Sequence, residues 1–164
     1  MYDFSVDEAL PKPERYRQLI DAAGALVDGE RDGVANMANV AALMWDFLPD
    51  INWAGFYRVD PEGEGRELVL GPFAGKPACI RIPFGVGVCG TAAATGETQL
   101  IEDVEAFPGH IACDAASKSE LVVPVQRDGR LIAVIDIDSP HLARFDREDA
   151  AGIEALAARI CAAI

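Results

Sequence analysis

The order of its patterned segments predicts an α+β fold, with a mostly antiparallel central sheet and helices packed on one side. Two helical stripes come first, a run of short β-rich segments joined by tight turns fills the middle, and one more helix closes the chain. Strand neighbours joined by tight turns pair antiparallel, and helices with one apolar stripe each need a sheet face to cover it. With 164 residues, 51% of them hydrophobic and 25% charged, the chain can bury a substantial core in one domain without disulfide staples.

Residues 1–12 lack periodicity and contain Pro11, so they read as an N-terminal arm ahead of a single domain over 13–164. From Glu14 to Val27, Tyr16, Leu19, Ile20, Ala23 and Leu26 recur at helical spacing until Asp28-Gly29 stops them. A second stripe, Met37, Val40, Leu43, Met44, Phe47 and Leu48, ends before Pro49. Its methionine and aromatic content is core packing and implies no cofactor. Strands are expected over Asn52–Val59, Glu67–Phe73, Cys79–Pro83 and Thr98–Ile101, with a short small-residue helix between Gly85 and Gly96. Residues 102–118 show no pattern, and long loops of that kind are functional or disordered. Glu120–Gln126 and Leu131–Asp138 form a hairpin around Asp128-Gly129, and Asp146 caps a helix that buries Ile153, Leu156, Ala157, Ile160 and Ile164.

The net charge of −13 excludes a nucleic-acid surface, since no basic stripe offsets phosphate repulsion, and disfavours an anionic membrane. Charges break every apolar run well short of a membrane span, and the acidic start Met1-Tyr2-Asp3-Phe4 lacks the regions of a signal peptide. A cytoplasmic location follows, in which four cysteines rest as thiols.

Cys161 lies beside the apolar stripe of the last helix, where a thiol serves as a small hydrophobe. Cys89 follows a glycine-rich turn and opens a helix, so free N–H groups and the helix dipole favour its thiolate. The alternative is a helix entry at which a small residue simply fits. Gly87 and Gly90 allow close backbone approach there. Cys113 sits in the patternless loop, unusual for a residue type so often buried; His110 and Lys118 bring positive charge and Asp114 opposes it. There is no C-x-x-C, and the C-x9-C and C-x23-C spacings with only His110 and His141 do not suit structural zinc. No metal and no cofactor is expected. Unpaired thiols suit redox turnover, in which one becomes a sulfenic acid and another resolves it as a disulfide.

Carboxylates form a second constellation. Asp136 and Asp138 share a strand face, beside Ile132 and Val134, and Glu120 opens the paired strand. Either these acids face solvent, or they line a concave pocket that binds an ammonium group and keeps one carboxyl protonated by like-charge repulsion. A plain two-residue turn at Asp128-Gly129 pairs Glu120 with Ile137 and throws it to the wrong face. A three-residue Arg127–Gly129 loop, with Gly129 left-handed, pairs it with Asp136. Convergence therefore requires an odd offset in this hairpin, and Pro124 is one place for a bulge.

Four motifs in order, Asn52-Trp53-Ala54-Gly55-Phe56-Tyr57, Gly85-Val86-Gly87-Val88-Cys89-Gly90-Thr91-Ala92, Ser119-Glu120-Leu121-Val122-Val123-Pro124 and Ile135-Asp136-Ile137-Asp138-Ser139-Pro140, resemble the free methionine-(R)-sulfoxide reductases. The resemblance covers nearly the whole chain beyond the arm. It implies a GAF-like domain with a short helix and loop over the ligand pocket. It implies Cys113 as nucleophile, Cys79 as resolving thiol and Cys89 as a secondary recycling thiol, although local chemistry favours Cys89. It further implies a substrate pocket made by Trp53, Tyr57, Glu120, Asp136 and Asp138. The expected substrate is free methionine-(R)-sulfoxide and the expected reductant a thioredoxin-like dithiol. A homodimer through the N-terminal helices is a further expectation. The alternative function is a non-catalytic GAF domain that senses a small ligand or redox state.

Overall fold

The computed structural model describes residues 9–60, 66–109 and 115–164. Helix α1 (Lys12–Val27) holds Pro13 in its first turn, where a missing N–H costs nothing. In α2 (Gly33–Phe47) the Asp32 side chain accepts from the Val34 and Ala35 N–H groups. The strands β1 (Trp53–Val59), β2 (Glu67–Gly75), β3 (Arg81–Pro83), β4 (Gln99–Ile101), β5 (Ser119–Arg127) and β6 (Arg130–Ser139) form one sheet in the order β3-β2-β1-β6-β5-β4. Every neighbouring pair is antiparallel. Helix α3 (Gly87–Thr95) lies between β3 and β4 in sequence, and α4 (Arg147–Ile160) closes the fold from a capping box of Asp146 and Asp149. None of the described helices is long and apolar enough to cross a membrane.

The two sheet faces carry separate cores. Helices α1, α2 and α4 cover one face, where Leu19, Val40, Met44, Phe56, Leu121, Ile135, Ile137 and Leu156 are fully buried. Tyr16 ties α1 to α4 by donating to the buried Asp149 carboxylate at 2.8 Å. On the other face a smaller core joins Trp53, Tyr57, Val122 and Val134 to Cys89 and Ala92 of α3. The expected architecture, helices on one side and a short helix over the opposite face, is what the chain adopts.

Several boundaries differ from expectation. Helix α1 starts two residues earlier than Glu14, and β3 starts at Arg81, so Cys79 precedes the strand. A 3-10 turn at Val104–Ala106, capped by Asp103, interrupts the stretch read as patternless. His110, Cys113 and Asp114 lie outside the described residues.

The hairpin resolves the register question in an unexpected way. Asp128 (φ 52) and Gly129 (φ 73) are both left-handed, as a two-residue primed turn demands, and Arg127 pairs with Arg130. Gln126 pairs with Leu131, but Val125 pairs with Ala133, so Ile132 is an extra residue in a bulge. Beyond it the whole register shifts by one. Glu120 therefore pairs with Asp138, not with Ile137 and not with Asp136, and the odd offset comes from the bulge and not from a three-residue loop. The same bulge sends Ile132 to the helix side while Val134 faces the small core, correcting the expectation that they share a face.

Candidate active site

Gly90 sets the site's entry geometry, because a Cβ there would lie 2.4 Å from the Pro83 carbonyl oxygen. Without one, the first turn of α3 closes on β3 and its third residue, Cys89, enters the small core. There the Cys89 Sγ lies 4.0 Å from the Glu120 Oε1, and donor atoms of Cys89, Glu120 and Asp136 all fall within 4.8 Å of one another. On β6, Asp138 stands between Glu120 of β5 and Trp53 of β1, and Asp136 stands between Val122 and Gly55. The three acids converge, as the pocket reading required. All are at least nine-tenths buried, which rules out the solvent-facing alternative.

Burial dominates the electrostatics. It pushes the Glu120 carboxyl well above the ordinary carboxylate range, and the charges of Asp136 and Asp138 push in the same direction. Asp136 is raised to about 6, again by burial, with hydrogen bonds from Cys89, Glu120 and the Ile137 backbone holding it back. A protonated Glu120 donating to Asp136 satisfies both shifts. Like-charge repulsion, the cause expected from the sequence, is thus second to desolvation. Cys89 departs further from expectation: burial and then Asp136 and Glu120 raise its thiol well above the ordinary range. The helix N-terminus favours a thiolate by only about 1 kcal/mol, too little against burial and two carboxylates. Burial and the two carboxylates thus oppose a Cys89 thiolate.

An aromatic wall adjoins the acids. Trp53, 3% exposed, stacks on Tyr57 at 5.8 Å and on Phe73 at 5.2 Å between ring centroids. Its indole N–H donates to the Lys76 carbonyl at 3.0 Å, which fixes the ring plane. A narrow cleft is lined by Trp53, Tyr57, Asp136 and Asp138 together with Lys76, Pro77 and Ala78. Phe73 and the 76–78 segment were not anticipated. Gly75, whose Cβ would meet the Trp53 ring at 2.8 Å, was the signal available in the sequence. Among the described cysteines, Cys89 and Cys161 are free thiols. Cys79 is half-buried against the small core that holds Cys89, and Cys161 packs at the end of α4 against the helix-side core.

Residues 17–164 match the GAF domain model. An Escherichia coli protein named free methionine-R-sulfoxide reductase is 50% identical over 149 residues, spanning 91% of this chain and 88% of its own length. This chain is a GAF-domain member of the free methionine-(R)-sulfoxide reductase family. The family extends to the crystal structure of the Neisseria meningitidis free methionine-R-sulfoxide reductase in complex with its substrate. That structure superposes with a TM-score of 0.92 at 46% identity, covering 99% of this chain and 95% of that one. The Bacillus subtilis protein YtsP is 55% identical over 84% of this chain and 83% of its own length.

Proposed function

We propose that this protein reduces free methionine-(R)-sulfoxide to methionine with its own thiols, as a cytoplasmic enzyme recycled by a thioredoxin-like dithiol. The observation that supports this reading most is a buried carboxyl, pushed well above the ordinary carboxylate range by its burial, beside an aromatic cleft. A sulfoxide oxygen needs a proton to leave, and general acids contribute about 10²–10⁴-fold to such a step. Glu120 is that acid in this reading. Trp53 and Tyr57 receive the S-methyl end, and Asp136 and Asp138 hold the free ammonium.

The Cys113 thiolate attacks the sulfoxide sulfur while Glu120 protonates the oxygen. The oxygen ends on Cys113 as a sulfenic acid, and methionine leaves reduced by two electrons. The Cys79 thiol then attacks the Cys113 sulfur, expelling water and closing a disulfide. An external dithiol exchanges with that bond and returns both thiols. Cys89, buried and held protonated, serves only later recycling.

Chain reach is compatible with this assignment. Ser117, four residues after Cys113, accepts a hydrogen bond from Asn52 at 3.1 Å, next to Trp53. Four residues span at most about 14 Å. The deciding assay incubates the reduced protein with dithiothreitol and each free methionine sulfoxide epimer and measures methionine. Turnover of the R epimer alone, lost in Cys113→Ser, is the expected result. No turnover of either epimer, with peroxide still oxidising the thiols, would favour a redox sensor and overturn the reading.

A further inference from the structure

In the proposed reduction the cluster of Cys89, Glu120 and Asp136 supplies a proton, an anionic seat and a thiol for later recycling, and its donor set fits more. One sulfur and two carboxylate oxygens arrive from three elements, α3, β5 and β6, and every residue is buried. In a tetrahedral site with Zn–S near 2.3 Å and Zn–O near 2.0–2.2 Å, sulfur and oxygen donors stand about 3.5 Å apart. The 4.0 Å from Cys89 Sγ to Glu120 Oε1 needs to close by only about half an ångström by that geometry.

Asp136 adds an independent observation. The residue is 7% exposed, it lines the cleft, and its Oδ1 is buried with no hydrogen-bond partner among the described residues. Burial of an unsatisfied oxygen is costly, and a cation in the cluster satisfies it. The thiol selects among cations, because mixed sulfur and oxygen donors favour zinc and its soft neighbours over magnesium or calcium.

We propose that the reduced protein binds one thiophilic divalent cation, zinc in kind, through Cys89, Glu120 and Asp136. Zinc displaces two protons to solvent, one from the Cys89 thiol and one from the Glu120 carboxyl, and takes an oxygen from each carboxylate, leaving a fourth position open toward the cleft. Because Asp136 and Glu120 are also claimed for the substrate in the proposed function, the ion inhibits by competition. Only that consequence rests on the reductase reading; the binding does not.

Cobalt serves as the probe, since a thiolate ligand gives Co²⁺ a ligand-to-metal charge-transfer band in the near ultraviolet. The full-length protein, reduced with a phosphine that is then removed, is titrated with Co²⁺ and afterwards with Zn²⁺. A saturable band that zinc abolishes at one equivalent is expected, absent in Cys89→Ser and retained in Cys79→Ser and Cys161→Ser. Glu120→Gln is expected to bind at least tenfold more weakly. A band that survives Cys89→Ser, or no band at saturating cobalt, overturns the proposal. If Cys89→Ser does not fold, Glu120→Gln decides, and an unchanged affinity overturns it. Methionine formation without cobalt binding would remove the metal site and leave the reductase reading intact.

Discussion

Strands β5 and β6 present two unlike faces from one backbone. Toward the helices they show Leu121, Val123, Val125, Ile135 and Ile137, each no more than 1% exposed. Toward α3 and the cleft they show Glu120, Val122, Val134, Asp136 and Asp138. The first face loses free energy only by being uncovered. The second carries three acids into a low-dielectric site, where burial opposes their charges. Stability and chemistry are thus divided between alternate residues of the same strands, and a single bulge at Ile132 sets which residues fall on which side.

Substitutions on the two faces should therefore separate cleanly. Glu120→Gln keeps the side chain's shape and removes its proton, so methionine formation should fall about 10²–10⁴-fold with folding intact. Steady-state kinetics on each epimer would show it. On the opposite face Ile137→Ala should cost about 2–5 kcal/mol in urea unfolding, with kcat per folded molecule unchanged. A large activity loss in Ile137→Ala at full folding would contradict this division of labour between the faces.

Asp136→Asn probes the acid-bearing face through pH. The Asp136 carboxyl titrates at about 6 in the folded chain against the ordinary 3.8 when unfolded. Between those values the folded state holds more protons, so this group's contribution to stability falls as pH rises through the window. Asparagine has no such penalty. The variant should match the parent near pH 4 and exceed it by up to about 3 kcal/mol at pH 7, read as a growing difference in unfolding midpoint. A constant offset across pH would contradict this. The smallest effect is expected far from the cleft, at Asp146→Ala, where loss of the α4 cap should cost about 1 kcal/mol and leave turnover untouched.

The helical layer was legible because its signals are local. Met37, Val40, Leu43, Met44 and Phe47 recur at helical spacing and all are buried, and Asp146 caps α4 where expected. The acid pocket was legible only conditionally. Alternation placed Asp136 with Asp138, but whether Glu120 joined them depended on one inserted residue, and Ile132 carries no chemical mark of a bulge. Of the two turns the sequence allows at Asp128-Gly129, the two-residue one forms, and by itself it implies the wrong register. Cys89 shows the deeper limit. Its helix entry is visible in Gly85 to Gly90, whereas the burial that raises its thiol, and the carboxylates that add to it, come from packing against β5 and β6, distant in sequence. Short-range spacing likewise conceals a cluster assembled from Cys89, Glu120 and Asp136.

The proposed reduction needs a proton kept on a carboxyl that ordinary acidity would have removed. Infrared difference spectroscopy of the reduced protein reads it directly, through the carbonyl stretch of a protonated carboxylic acid. At pH 7.5, about three units above the usual glutamate range, the band should be present in the parent chain and missing in Glu120→Gln. A spectrum at that pH showing only ionised carboxylates, or a band indifferent to Glu120→Gln, would contradict it.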